Sequence, residues 1–253
     1  MKWRLQVLIA AILVAVFVVF LFPAIPQNEA YHNFADARAM LGIPNFLNVV
    51  SNALFLLVGL WGIGFVRRAR FLDFRERWPY LVFFFGVALT AFGSAWYHLR
   101  PDDATLVWDR IPMAIGFMAL VAAIVAERIG VRAGLGLLAP LVAAGVGSVL
   151  YWELAQARGH GDLRPYALAQ FGSLLVLFLL ILLFPPRYTR TYDLGIALAL
   201  YALAKVFEAA DRPIFSLGGI VSGHILKHIA AALSAYWVLR MLRLRAPVET
   251  TSA

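Results

Sequence analysis

The sequence predicts an all-α, polytopic transmembrane bundle: a seven-helix core preceded by one additional N-terminal membrane helix. Three observations predict it. Hydrophobic residues make up 62% of the 253-residue chain and charged residues only 14%, more apolar surface than a water-facing domain of that length requires. The apolar residues fall in blocks of roughly 20, the length that crosses a hydrocarbon core as a helix. The basic residues collect in alternate loops, as they do when every second loop faces the cytoplasm.

The first block, 5–23, is the additional helix. Its apolar run, Leu5 to Phe22, is longer than a secretory signal core, and no small-residue cleavage pattern follows. An uncleaved helix is therefore expected. The longest loop, Ala24 to Asn45, carries polar and aromatic residues and is expected to be ordered. The seven-helix core, 45–245, then holds spans near 46–66, 79–99, 105–126, 133–151, 166–185, 191–209 and 218–240. The tail after Arg245, APVETTSA, is expected to fray. No soluble domain and no repeat of fixed period interrupts the helices, so 1–253 is read as a single integral membrane domain.

The net charge of +8 would suit nucleic acid if it were spread over a surface, but it is not. Lys2, Arg4, Arg67, Arg68, Arg70, Arg75, Arg77, Arg128, Arg132, Arg187, Arg190, Arg240, Arg243 and Arg245 all fall on one side of the predicted topology. The opposite loops hold Arg38, Arg100, Arg110, Arg158, Arg164 and Arg212, mixed with most of the acidic residues. Both termini are thus expected in the cytoplasm, with the basic face touching anionic lipids rather than nucleic acid. Trp3, Trp78 and Trp237 fit an inner aromatic belt; Trp96, Trp108 and Trp152 fit an outer one. The Arg- and Ala-rich composition suggests a bacterial inner membrane.

The chain has no cysteine. Disulfides and thiolate metal sites are excluded, so any metal must be held by His, Asp or Glu. Ionisable side chains inside spans are costly and need a partner or a role. His224 and His228 are four residues apart on the last helix, one turn apart on one face, which lets two imidazoles reach one ion. Alone this spacing is equally that of two packed histidines. Ser94 and His98 repeat it at the end of the 79–99 span, and Asp109 opens the next span after a short turn at Pro101. Asp109 could equally be a helix-start residue or a partner of Arg110, and Ser94 a small packing residue.

Topology adds an independent expectation. His98 and Asp109 lie near the outer ends of their helices, and His224 and His228 roughly 9–15 Å below the outer end of theirs at 1.5 Å per residue. Ser51 lies in the outer third of its helix. Independent packing histidines have no reason to share one half of the membrane. Three histidines leave a fourth position of a tetrahedral zinc open, the pattern of a catalytic site. Such zinc lowers the pKa of a bound water to about 7 and polarises a carbonyl, which suits an amide or ester hydrolase. Asp109 is then a candidate proton relay and Ser94 a candidate oxyanion donor.

Three runs, GIPNFLNVVSNALFLLVGL (42–60), FGSAWYHLRPDDATLVWDR (92–110) and GHILKH (223–228), resemble the alkaline ceramidases. These belong to a superfamily of seven-helix membrane hydrolases that also includes progestin/adipoQ-type receptors. The resemblance covers most of the chain from Tyr31 onward. It implies zinc held by His98, His224 and His228, with Ser94 and Asp109 as catalytic neighbours. It also implies hydrolysis of a ceramide-like amide to a sphingoid base and a fatty acid. The helix at 5–23 is extra to the seven-helix core of the eukaryotic enzymes. Their acidic, calcium-binding segment has no good counterpart: 31–45 offers only Asp36 among acids, with His32, Asn33 and Asn45 nearby. A calcium site is therefore not expected. His32 is read as a hydrogen-bonded loop histidine and His160 as solvated.

The main rival is a non-enzymatic receptor or sensor with the same zinc site. A retinal protein with Lys227 as Schiff base and Asp109 as counter-ion leaves the three histidines unexplained; Lys227 is expected to pair with Glu208 or Asp211 instead. Haem on two of the histidines fits an i, i+4 pair less well than one small ion does.

Overall fold

The computed structural model describes residues 2–248, and among them the regular structure is helical, with two isolated β-bridges and no strand. The additional helix is α1 (Lys2–Leu21). The core follows as α2 (Phe46–Val50), α3 (Ala53–Arg68), α4 (Arg77–Leu99), α5 (Asp103–Arg128) and α6 (Val131–Ala157). It continues with α7 (Arg164–Ala167), a π-helical turn (Leu168–Gly172), α8 (Ser173–Leu183), α9 (Thr191–Ala209), α10 (Asp211–Ser216) and α11 (Gly223–Leu244). Seven of these segments are long and apolar enough to cross a bilayer, which marks an integral membrane protein. The expected span at 191–209 forms as α9 but falls outside that set. Asp193, Lys205 and Glu208 lie within its 19 residues, and all three are taken up by internal ion pairs.

Large apolar side chains point outward, among them Phe17, Leu57, Phe92 and Leu182, as a hydrocarbon solvent allows. Large side chains such as Tyr80, Phe84, Leu177 and Leu239 also fill the interior, but the central helix, α5, meets its neighbours through small residues. In α5, Ala114, Ala119, Ala122, Ala123 and Ala126 are buried, and small side chains let helix backbones approach closely. The most apolar window of α5 is 78% buried, against 6% for α1. Helix α5 is therefore the central post, and polar residues near its start are carried indoors with it.

Sequence neighbours α3–α4, α4–α5 and α5–α6 pack most closely, together with α9–α11, and α11 also packs on α3. Alternate helix ends meet at a basic end where three buried carboxylates are neutralised. Glu76 accepts from Arg187 and Tyr188, Glu127 from Tyr80 and Arg245, and Asp193 from Arg190 and Arg240. The first tail residues do not fray as expected. Thr189 donates its N–H to the Ala246 carbonyl (2.8 Å) and Val248 donates to that of Arg187 (3.0 Å), and Tyr188 bridges Pro247. The remainder of the tail, 249–253, lies outside the described residues.

Several boundaries differ from expectation for physical reasons. The 46–66 span breaks at Ser51 and Asn52, where the Ser51 hydroxyl and the Asn52 amide both donate to the Asn48 carbonyl (3.1 and 2.7 Å). Side-chain donors competing for a backbone acceptor bend a helix in this way. The last helix begins at 223 rather than 218: Gly219 has φ +66°, and Ser222 caps the new start by accepting from Ile225 N (3.3 Å). Five residues later than expected, this start brings His224 and His228 into the first two turns.

The 24–45 loop is ordered, as expected. It forms a 3-10 turn at Glu29–His32 and a Met40–Ile43 bridge, and it lies over the end of the bundle opposite the basic end.

Candidate metal centre

Helix α4 ends at Leu99 ahead of Pro101, which leaves His98 in the last turn. Across the bundle, α11 delivers His224 and His228. The carboxylate of Asp211 fixes this corner, accepting the His224 N–H on Oδ1 and the Ala35 N–H on Oδ2, each at 2.8 Å. All three imidazoles are buried, and their Nε2 atoms converge: that of His98 lies 3.3 Å from His224 Nε2 and 3.3 Å from His228 Nε2. One ring nitrogen carries a single hydrogen or a single lone pair, so His98 Nε2 cannot serve two such neighbours well as a hydrogen-bonding group.

A shared ion accounts for the arrangement better. Nitrogens held about 2.0–2.1 Å from one tetrahedral ion stand about 3.3 Å apart. The three residues thus fit a metal ion. Among the described residues no other group of three His, Cys, Asp or Glu side chains is close enough to share one.

The surrounding groups orient the rings. The Ser51 hydroxyl lies 2.7 Å from His228 Nδ1 and donates onward to the Asn48 carbonyl (3.1 Å). His228 Nδ1–H therefore donates to Ser51, which leaves the Nε2 lone pair for the ion. Asn45 donates to the His98 carbonyl (2.9 Å), and the Phe34 ring packs 4.6 Å from both His98 and His224, closing the side toward the loop.

Ser94 lies one turn before His98 on α4, and Asp109 lies in the second turn of α5. Their proximity comes from a close helix crossing. A Cβ on Gly93 would overlap the Trp108 carbonyl, so only glycine lets the two backbones approach here. That contact sets the next residue of each helix, Ser94 and Asp109, beside each other. Both are buried. Together with His228 they line a cavity of about 240 Å³, whose remaining wall is mostly apolar and includes Phe83, Phe117, Leu174 and Leu177.

Asp109 is neither the helix-start residue nor the Arg110 partner that the sequence left open. The α5 start is capped by Asp102, which accepts from Thr105 N (2.7 Å), a bond that holds the Asp102 carboxyl below its ordinary range. Arg110 turns away, donating from Nη2 to Gln27 Oε1 (2.6 Å). Its guanidinium lies over the rings of Trp152 (4.2 Å) and Tyr166 (4.9 Å). Trp152 is fully buried in this stack and so is not part of an outer aromatic belt. A tryptophan near a helix end reads as an anchor until the arginine that draws it inward is placed.

His32 makes two hydrogen bonds, to the Tyr97 hydroxyl and to Asp103 Oδ1, each at 3.0 Å, and is not in the histidine cluster. His160 is exposed and bonded to the Arg158 carbonyl (2.8 Å). Both oxygens of Asp36 are taken by Arg38, through Nε and Nη2 at 2.7 Å each, and Arg38 also donates to the Gly219 and Ile220 carbonyls (2.8 Å each). A guanidinium thus neutralises the acid of the 31–45 stretch. Lys227 pairs with Glu208 (2.8 Å), which also accepts from Lys205 and from the Tyr31 hydroxyl (3.0 Å).

Sequence reasoning missed Phe34, Gln27 and the Arg110 stack. Long loops carry no periodicity, so nothing marked which of their side chains fold inward. No protein-family model matches this chain, and no curated protein sequence matches it.

Proposed function

We propose that this protein is a zinc-dependent membrane amidohydrolase, similar to the alkaline ceramidases. It would cleave the amide of ceramide or a ceramide-like N-acyl lipid to a free amine base and a fatty acid. One observation carries the reading: an open three-nitrogen ligand set opens through His228 onto an apolar cavity that also holds a buried serine and a buried aspartate. A structural metal site would be closed by a fourth protein ligand, whereas a catalytic one keeps a position free. Zinc, when bound, supplies an activated water and polarises the substrate carbonyl.

The chain's own residues do the rest. The apolar wall takes the acyl chain and excludes water from the reacting amide. Asp109 accepts the proton lost as the carbonyl carbon gains hydroxide, and returns it to the nitrogen as the C–N bond breaks. The Ser94 hydroxyl donates to the oxygen on which charge develops. Ser51 holds His228 in the ligating tautomer. The alternating basic loops favour cytoplasmic termini in a bacterial inner membrane, with the site in the outer, periplasmic half and anionic lipids along the inner face.

The deciding experiment is fatty-acid release by the purified, zinc-loaded protein from a panel of amide lipids that includes ceramides. The hydrolase reading expects release with at least one lipid. Release from none, with full zinc content, would leave the receptor reading in its place.

A further inference from the structure

The cavity wall carries three cations that the proposed chemistry does not use, and among the described residues one of them has no carboxylate partner. These are Arg110, Lys205 and Lys227, against Asp109 and Glu208, so one positive charge is unmatched. Lys205 and Lys227 both pair with Glu208. Among the described residues Arg110 makes no ion pair. It is only 6% exposed, and its one hydrogen bond is to a neutral amide, Gln27 Oε1. Nη1 is buried with no partner. The Trp152, Tyr166 and Tyr31 rings hold the guanidinium from its sides, at 4.2, 4.9 and 5.8 Å from their centroids. A buried guanidinium with a free donor, held by aromatic rings in a residue that lines a cavity, has the chemistry to bind an anion.

Resting on the amidohydrolase reading above, we propose that Arg110 binds a carboxylate on the amine half of the substrate. The preferred lipids are then N-acyl amino acids rather than neutral ceramides. The carboxylate fits better than a phosphate. One free guanidinium nitrogen satisfies a single carboxylate oxygen, whereas a phosphate would bury more acceptor oxygens than the available donors can meet. Position agrees as well. Arg110 and Asp109 line the same cavity, so the charge is held on the wall shared with the proposed base rather than at the far end of the acyl chain.

The test uses a matched pair, N-oleoylglycine and N-oleoylethanolamine, which share chain and size and differ in carboxylate against hydroxymethyl. Binding of each to full-length, zinc-loaded protein in detergent is measured on ice in the first seconds, and hydrolysis separately. Wild type is expected to bind N-oleoylglycine about tenfold or more tightly than the ethanolamide, the worth of one charge-assisted hydrogen bond.

Arg110→Gln should erase that preference. Gln27→Glu keeps the guanidinium and its aromatic neighbours but gives it an internal carboxylate partner. It should erase the preference too, with ethanolamide binding within about twofold of wild type. If Arg110→Gln fails to fold, Gln27→Glu decides alone. Equal affinities in wild type would overturn the proposal. So would a preference that survives Gln27→Glu, since the carboxylate would then sit on the metal. Cleavage of neither lipid, with the binding preference intact, would count against the amidohydrolase reading and not against Arg110. Cleavage of both without preference would count against Arg110 alone.

Discussion

The Ser51 hydroxyl lies 2.7 Å from Nδ1 of His228, at the break between α2 and α3. The break and the contact have one origin: the side chains that unseat the helix at the Asn48 carbonyl turn Ser51 toward the last helix. Ser51 does not ligate, so its effect on metal must be graded. Ser51→Ala should weaken metal binding about 10–100-fold, the usual cost of losing an outer-shell partner of a ligating histidine. His224→Ala or His228→Ala should remove nearly all metal from the purified protein. Chelator competition and elemental analysis measure both. Stoichiometric metal surviving both histidine changes would reject the centre.

Gly93 makes a second kind of prediction, about spacing. Gly93→Ala places a Cβ against the Trp108 carbonyl, backbone that cannot yield as a side chain tip would. Helices α4 and α5 must separate, at about 1–3 kcal/mol by the ordinary cost of overpacking. The loss should appear as a lower thermal midpoint together with reduced turnover, since Ser94 and Asp109 move apart. Gly64→Ala is the control: nothing lies within 4 Å of a Cβ there, and its midpoint should stay near wild type.

The histidine trio was legible because two independent patterns agreed, the i, i+4 spacings and their shared end of the bundle. Depth was less legible. Predicting the last helix from 218 set His224 and His228 well inside it, but Gly219 at φ +66° and the Ser222 cap delay the start to 223. Trp152 misled for a different reason: residue type and position suggest a lipid anchor, and only the tertiary contact with Arg110 shows otherwise. The break at Ser51–Asn52 and the π turn at 168–172 left no trace in hydropathy, because both lie inside apolar runs and arise from local hydrogen bonding.

The Asp36–Arg38 pair yields a pH prediction. Arg38 holds the Asp36 carboxyl below its ordinary range. A carboxyl whose folded pKa is depressed contributes stability above its unfolded pKa, about 3.9, and loses it as pH falls through the folded value. Wild type should therefore melt above Asp36→Asn at pH 7, and the gap should close as pH drops from about 5 to below the folded pKa. Added calcium should leave the wild-type midpoint unchanged, because both carboxylate oxygens already have a cation. A constant gap across the acid range, or stabilisation by calcium, would contradict this assignment.

Orientation is tested by reporters at the two ends of the bundle. A fusion after Arg245 should read cytoplasmic and an insertion near Gly159 external, by the arginine bias of the alternate loops. The reverse result would move the histidine end to the cytoplasmic half and change which leaflet supplies substrate.

On the proposed amidohydrolase reading, catalysis and metal binding separate at Asp109 and Ser94, neither of which belongs to the histidine cluster. Asp109→Asn keeps size and polarity but removes the base, so loss of general acid–base catalysis predicts a drop of about 10²–10⁴-fold in turnover. Ser94→Ala removes one donor to the developing oxyanion, a loss on the order of 10²–10³-fold. Both variants should fold, keep metal and bind lipid, because the ligands and the apolar wall are untouched. A purely structural role makes a different prediction: Asp109→Asn would leave a buried partner set unsatisfied and lower metal content or thermal midpoint in step with activity. Fatty-acid release, metal content and thermal midpoint measured on the same preparations distinguish the two. Near wild-type turnover in Asp109→Asn would sink the proton-relay role even with the metal centre intact.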